Sequence, residues 1–375
     1  MRQRGVCLPM AQCAQLEPTA ITILPMTAPR DRTAQQATTP RRLTIKDVAQ
    51  AAGVSLTTVS HALNDRGYVD PETRARVKRI AQELGYRPNL RAQRLRTGKT
   101  NSIAVFFSMP LAIAGGPARM GFMMEIVAAA AEAAMRRNLS LVLVPPLAGA
   151  NDFLDGLDID GAIVIEPVLG DPQIAGLRQR GVCVVSIGRP PEPEPAIPYV
   201  DLQTTAMAQL WLTHLHEQGA RRIALLVGAQ ARHSNLETER VYREFVAANG
   251  LPLLLRRADV HVGEAAGAAA CRELLAEDPA IDAVCVPVDA FATGAMQALR
   301  EAGRRVPHDV RVVTRYDGLR AKNSVPPITA VDLHLEQRAV MAVELLFEHI
   351  CGDTRHTMLA GPAPSLILRP SSVVA

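Results

Sequence analysis

The chain has 375 residues, enough for two or three domains and a large core, and its 48% hydrophobic content is that of an ordinary globular protein. No apolar run approaches the roughly 18 residues of a membrane-spanning helix, and residues 1–40 lack the basic start and apolar centre of an export signal, because Pro, Gln and Thr interrupt every apolar stretch. The net charge of +4 is unevenly spread: residues 41–100 carry 13 Lys/Arg against 5 Asp/Glu, so a small basic module suited to a polyanion precedes a large acidic one.

Residues 1–40 read as a disordered or non-native extension, with Met10 and Met26 as alternative starts. Cys7, Cys13, Cys183, Cys271, Cys285 and Cys351 are scattered with no CxxC pair. That distribution argues against a structural metal site and for reduced thiols in the cytoplasm. No cofactor and no metal are expected.

Three short helices are predicted between residues 41 and 87. Val48, Ala49 and Ala52 form one apolar face, and Gly53 ends that helix. Ser55 is a suitable N-cap for a second helix with Val59, Ala62 and Leu63 on its inner side. The link through Gly53 and Val54 allows only a tight corner, the geometry of a helix-turn-helix. A third helix starts at Asp70 and Pro71, is expected to bury Val77, Ile80, Ala81 and Leu84, and stops at Gly85. Burying Val59, Ala62 and Leu63 leaves Leu56, Thr57, Ser60, His61 and Asn64 on the other faces. Hydroxyls, an imidazole and an amide reach phosphates and base edges without the bulk that would bar a helix from the major groove. A merely solvated helix more often carries Glu/Lys pairs there.

The next segment, "RPNLRAQRLRTGKT", spells a basic helix of under three turns, too short to be stable alone. Its "TGKT" is not the end of a phosphate-binding P-loop, because that motif needs Gly at position 93 and this chain has Gln93.

The runs "LTIKDVAQAAGVSLTTVSHALN", "VDPETRARVKRIAQELGYRPN" and "LRTGKTNSIAV" resemble the DNA-binding head and hinge of the lactose/galactose repressor (LacI/GalR) family, and "TTVSH" is especially similar to its purine-repressor branch. The resemblance implies a homodimer whose second helices enter the major groove of a near-palindromic operator. It also implies hinge helices that meet in the minor groove, each levering a leucine into the central base step. Carried over by position, Leu56, Thr57 and His61 would face bases, and Thr44, Ser55, Thr58, Ser60 and Asn64 would hold phosphates. Leu95 would be the wedge, with Asn89, Ala92 and Gln93 along the minor groove. Leu56 stands where relatives often have a polar or aromatic reader, so an apolar contact to a thymine methyl is expected there. Arg94 occupies a usually small or amide position.

Beyond Ser102 the rhythm is strand, then helix. "SIAVFF", "LSLVLVP", "GAIVIEP", "VCVVSIG", "RRIALLVG", "AVCVPVD" and "VRVVT" read as buried parallel strands, with amphipathic helices between them such as 123–137 and 265–276. The "PPEPEPAIP" stretch makes a stiff break. The fold class is therefore α/β: a three-helix helix-turn-helix head over 41–87, a hinge helix and linker over 88–100, then two doubly wound parallel-sheet lobes over 101–375 with a cleft at their strand ends. The first lobe is expected at about 101–197 and 328–351, the second at about 198–327 and 352–375. The resemblance gives this core the fold of periplasmic sugar-binding proteins and a small-molecule effector.

An enzyme on a doubly wound scaffold is the rival reading. It finds no support in motifs: the chain has no GxGxxG after the first strand, no GxSxG elbow and no HExxH. His214 and His216, two residues apart on one helix, face away from each other, and Trp211 falls at a core position. Effector candidates at strand ends are Ser108, Arg119 and Phe122 in the first lobe, then Arg189, Ser234, Thr238, Asp289, Tyr316 and Asp317. Asp289 reads equally as a sugar-hydroxyl acceptor or as an N-cap for the following helix. Arg189 reads as an anion clamp or a surface ion-pair partner. Thr238 stands where the family often has an Arg, and "TRYD" replaces the usual "GFDD".

Overall fold

The computed structural model describes residues 43–65, 67–87, 98–109, 120–144, 154, 156–191 and 197–373, and the chain divides into two units that part between residues 89 and 90. The hinge positions Asn89, Ala92, Gln93 and Leu95, together with Arg119 and the extension 1–40, lie outside the described residues.

The first unit holds α1 (Ile45–Ala52), α2 (Leu56–Leu63) and α3 (Pro71–Glu83). Gly53 ends α1 at φ 65°, a left-handed conformation that a glycine adopts without strain, and its N–H closes on the last α1 carbonyls. The chain therefore turns within two residues into α2, whose N-cap Ser55 accepts the Thr58 amide at 3.0 Å. Asp70 does the same for α3, accepting the Thr73 amide at 2.8 Å, with Pro71 in the first turn. Val48, Ala49, Ala52, Val59, Ala62, Val77 and Ala81 form the buried core, with Leu63 and Ile80 at its margin. Leu84, expected inside, is 37% exposed. It is the residue after the last turn of α3, and Tyr86 packs against the core instead.

The second unit contains two six-stranded sheets. The first sheet comes from β1 (Ser102–Phe107), β2 (Ser140–Val144), β3 (Gly161–Ile165), β4 (Cys183–Ile187) and β5 (Tyr199–Asp201), with α4 (Met120–Arg136) and α5 (Pro172–Gln179) among the crossovers. The second comes from β6 (Ile223–Gly228), β7 (Leu254–Ala258), β8 (Ala283–Val286), β9 (Arg311–Tyr316) and β10 (Thr329–Asp332). Its helices are α6 (Thr204–Glu217), α7 (His233–Ala248), α8 (Glu264–Glu277), α9 (Asp289–Glu301) and α10 (Leu319–Asn323). The chain then returns to the first sheet through α11 (Leu335–Ile350) and β11 (Met358–Ala360) and ends in the second with β12 (Ser365–Ile367).

The sheets run β11-β5-β4-β3-β1-β2 and β12-β10-β9-β8-β6-β7, so both lobes repeat one doubly wound order with a sixth strand added from the carboxyl end. All pairs are parallel except β12 on β10. The seven strands read from apolar runs are all present. The five not foreseen are short or marginal: β5, β11 and β12 have three residues each, β10 has four, and β7 carries Arg256 and Arg257. These short strands also move the lobe boundaries. The chain leaves the first sheet only after β5, leaves the second only after β10, and crosses a third time after β11, at 202–203, 333–334 and 361–364 rather than near 197, 327 and 351.

The first two crossings repeat a motif, Val200-Asp201-Leu202-Gln203 and Val331-Asp332-Leu333-His334. In each, the Asp carboxylate accepts the amide two residues on, at 2.9 and 2.8 Å, and the fourth residue turns left-handed (φ 54° and 47°) to start a helix. Arg338, fully buried on α11, donates Nε to the Asp201 carbonyl (3.2 Å) and Nη2 to that of Pro362 (2.8 Å). Gln203 Nε2 donates to the Pro362 carbonyl as well, at 3.0 Å. The first and third crossing segments are thus tied together by a side chain of the helix that follows the second. Replacing Arg338 with Met keeps the bulk but removes both charged hydrogen bonds, leaving the Pro362 carbonyl to Gln203 alone. It should lower unfolding free energy by roughly 3–6 kcal/mol in urea titration, at about 1.5–3 kcal/mol for each of the two hydrogen bonds to a charged group.

Candidate DNA-reading surface and interlobe cleft

On the head, Ser55, Leu56 and Thr57 are exposed at the amino end of α2, with Leu56 44% exposed despite its apolar side chain. Ser55 and Thr58 hydroxyls lie 2.8 Å apart, and Thr44 donates both its amide and its hydroxyl to Asp47 at 2.7 Å. These polar side chains are held at the helix starts, where backbone N–H groups also point outward and favour phosphate. Ser60, His61 and Asn64 are half-buried. Asn64 Nδ2 donates to the Ser60 carbonyl at 2.7 Å, and the His61 ring packs over Gly67. Lys78 and Arg74 converge on Asp65 at 2.7 and 3.5 Å, which holds its carboxyl below the usual range.

In the core, the carboxyl ends of β1 and β3 face the start of α7 and the end of β9. Glu166 follows β3, is 4% exposed, and accepts Ser234 Oγ at 2.6 Å and Arg315 Nη1 at 3.0 Å from the second lobe. Arg232, 5% exposed, donates to the carbonyls of Glu166 and Ser108, while Ser108 Oγ donates to Asp171. Gly188, at φ 94°, leaves room for Glu166: an added Cβ would stand 2.9 Å from Glu166 Oε1. Burial by itself would raise the Glu166 pKa, but Arg315, the Ser234 hydroxyl and Arg232 outweigh it and hold the carboxyl below its ordinary value.

A second contact crosses the cleft beside it. Tyr316 meets Phe122 edge to face with ring centroids 5.2 Å apart, and its hydroxyl donates to Glu125 Oε2 at 2.8 Å. Burial pushes the Glu125 carboxyl up, and burial with the Glu125 bond pushes the Tyr316 phenol up.

Among the candidates, Ser108 and Ser234 are therefore joined through the Glu166–Arg232 network, and Phe122 meets Tyr316. Asp289 is the first residue of α9, whose N-cap is Val288, so it caps no helix in the manner of the alternative reading. It is largely buried and lies 3.6 Å from Arg320 Nε; burial raises its pKa, which Arg320 only partly offsets. Asp317 pairs with Arg369 and, at 3.3 Å, with Lys322. Thr238 is buried, and its hydroxyl has no hydrogen-bond partner among the described residues. Arg189 is exposed. Glu166, Asp171, Arg232, Arg315 and Glu125 were not foreseen. The available signal was a charged residue ending an apolar strand, as in "GAIVIE" and "VVTRY".

Trp211 and His214 are buried on α6; His214 Nε2 lies 2.8 Å from Ser372 Oγ, whereas His216 is half-buried and stacks edge-on against Phe245. Cys271 and Cys285 are buried thiols. Among the described residues no helix is long and apolar enough to cross a membrane.

A helix-turn-helix head on the same chain as a hinged, two-lobed core with a polar cleft defines a DNA-binding regulator built on a ligand-binding scaffold. Residues 44–89 match the model for bacterial regulatory proteins of the lacI family, and residues 212–372 that of a periplasmic binding protein-like domain. The chain is 33% identical to the HTH-type transcriptional regulator CelR of Thermobifida fusca over 88% of its own length and 98% of that protein. It belongs to the lacI family and is a transcriptional regulator. It is also 28% identical to the transcriptional repressor PurR of Pasteurella multocida, over 88% and 98% of the two chains. Among solved structures, a CelR–cellobiose complex matches with TM-score 0.66 and 32% identity over 88% of this chain and all of that one. The lac repressor dimer bound to operator and an anti-inducer matches with TM-score 0.70 and 25% identity over 89% of this chain and all of that one.

The pairing of Glu166 makes its contribution to stability pH-dependent. A carboxyl depressed in the folded state stabilises fully above its unfolded pKa of about 4.3, and the contribution is lost as pH falls through the lower folded value. Urea titrations at falling pH should therefore show a steeper loss of stability in the wild type than in Glu166→Gln. Parallel curves would remove Glu166 from the acid response.

Proposed function

We propose that the chain acts in the cytoplasm as a homodimeric repressor of a near-palindromic double-stranded operator, and that a small molecule in the interlobe cleft sets its operator affinity. The observation that carries the DNA reading is the exposed amino end of α2, where Leu56 and Thr57 project beside the Ser55 cap. A recognition helix enters the major groove with those first residues. Leu56, Thr57 and His61 then face bases, while Thr44, Ser55, Thr58, Ser60 and Asn64 reach phosphates. The segment 88–100 supplies the minor-groove helix, with Leu95 as wedge and Asn89, Ala92 and Gln93 beside it. Unstacking one base step costs on the order of a few kcal/mol, offset by the wider, bent groove.

The effector reading is a neutral sugar. It is supported by the cleft chemistry, in which four carboxylates, Glu166, Asp171, Glu125 and Asp289, stand among three guanidiniums, Arg232, Arg315 and Arg320, so hydroxyls meet both acceptors and donors and no cationic excess favours an anion. It is also supported by the cellobiose held by the CelR relative. Candidate contacts are Ser108, Phe122, Arg189, Ser234, Thr238, Asp289, Tyr316 and Asp317, with Arg119 outside the described residues. No catalytic role is assigned to any residue, and no cofactor or membrane partner enters the scheme.

Two measurements test this. In a binding-site selection, Leu56→Gln should lose the preference for thymine at one position in each half-site, where one base pair is worth about 1–3 kcal/mol; an unchanged motif would remove Leu56 as a reader. In a thermal-shift series, cellobiose should raise the melting temperature with dose. A response to sugar phosphates alone would replace the neutral class with an anionic one.

A further inference from the structure

The contacts around Glu166 join the two lobes directly, from side chain to side chain. The carboxylate comes from the end of β3 in the first lobe, and its partners Ser234 and Arg315 come from α7 and β9 in the second. The backbone on both sides of it is tied across as well. The Leu169 N–H donates to the Ala231 carbonyl at 2.9 Å, and Val168 forms an antiparallel bridge with Arg232. The Arg232 side chain runs back across the gap to the Ser108 and Glu166 carbonyls. Glu166 itself is held at φ 53°, an uncommon conformation for a side chain other than Gly, Asn or Asp, which aims its carboxylate at the second lobe.

We propose that Glu166 is a latch, a carboxylate of the chain's own that keeps the lobes joined across the cleft when no small molecule is bound. The physical basis is the position of the charges. Glu166 and Arg232 are each at least nine-tenths buried, and Arg315 is 12% exposed at its side chain. Removing one partner leaves the others buried and unpaired, so the joined arrangement depends on the whole set. Separating the lobes hydrates every member, which makes the latch reversible rather than permanent. A small molecule then acts on an equilibrium that the chain has already biased, and shifts it only by its different affinity for the joined and separated forms. The idea does not depend on which molecule enters the cleft, since none is needed to test it.

The Leu169 amide reports on the latch directly, because its acceptor belongs to the other lobe. Hydrogen exchange of the full-length protein, with no ligand added, should find this amide protected. In Glu166→Gln its protection should fall at least tenfold, while amides inside β1 and β6 exchange as before. Ser234→Ala, which removes a single hydroxyl bond, should give a smaller loss of about fivefold, the equivalent of roughly 1 kcal/mol. If Glu166→Gln also loses protection in β1 and β6, it has unfolded, and Ser234→Ala decides the question. Equal exchange of the Leu169 amide in wild type and Ser234→Ala, or an unprotected Leu169 amide in the wild type, would overturn the latch.

Discussion

The core depends on one constraint: the chain passes between its two sheets three times, and the first and third passages are tied together through the helix that follows the second. Arg338 and Gln203 join the first and third passages through carbonyl oxygens, and the repeated Asp-Leu turns give the first two the same exit geometry. Because each lobe is completed by strands on both sides of these passages, neither sheet is finished without the other. The lobes also share one buried apolar cluster, which holds Ile103 and Ile163 of the first and Val227 and Val313 of the second.

Across that cleft the chain places charge beside the Phe122–Tyr316 ring contact. A buried carboxylate among guanidiniums is weak as a source of stability, since desolvation consumes most of the attraction, but it is demanding in geometry. Glu166 needs Gly188 behind it, Ser234 and Arg315 in front of it and Arg232 over its backbone. Such an arrangement favours one relative placement of the lobes over neighbouring ones, which an oily interface of the same size would not. The head follows the opposite strategy. Its core consists mainly of Ala and Val, and its organisation comes from caps at Gly53, Ser55 and Asp70 that fix where each helix begins or ends.

The head was legible in the sequence almost residue by residue, because its determinants are local. A left-handed glycine, hydroxyl and carboxylate caps and a short 3.6-residue apolar period act over a few positions. Leu84 is the exception: periodicity assigned it to the core, but it falls one residue beyond the last turn, where Tyr86 takes over. The central strands were equally legible, since strands covered on both faces become continuous apolar runs. The three-residue strands β5, β11 and β12 leave no such trace, and they set the true lobe boundaries. In the cleft, Ser108, Phe122, Ser234 and Tyr316 were expected at strand ends, but Phe122 and Ser234 stand in the first turns of α4 and α7, and Glu166, Arg232 and Arg315 were passed over as ordinary charges.

The sequence by itself determined the two-module division, the helix-turn-helix corner, the exposed start of the reading helix and the doubly wound class, because each of these follows from neighbours a few residues apart. Only the tertiary structure decided which charges face one another. Glu166 meets Arg315 across 149 positions of chain and Ser234 across 68. Phe122 meets Tyr316, and Arg338 reaches the first crossing, over comparable separations. Pairings of that span are set by sheet order and by the threefold passage between lobes, and no local pattern of residue types encodes them.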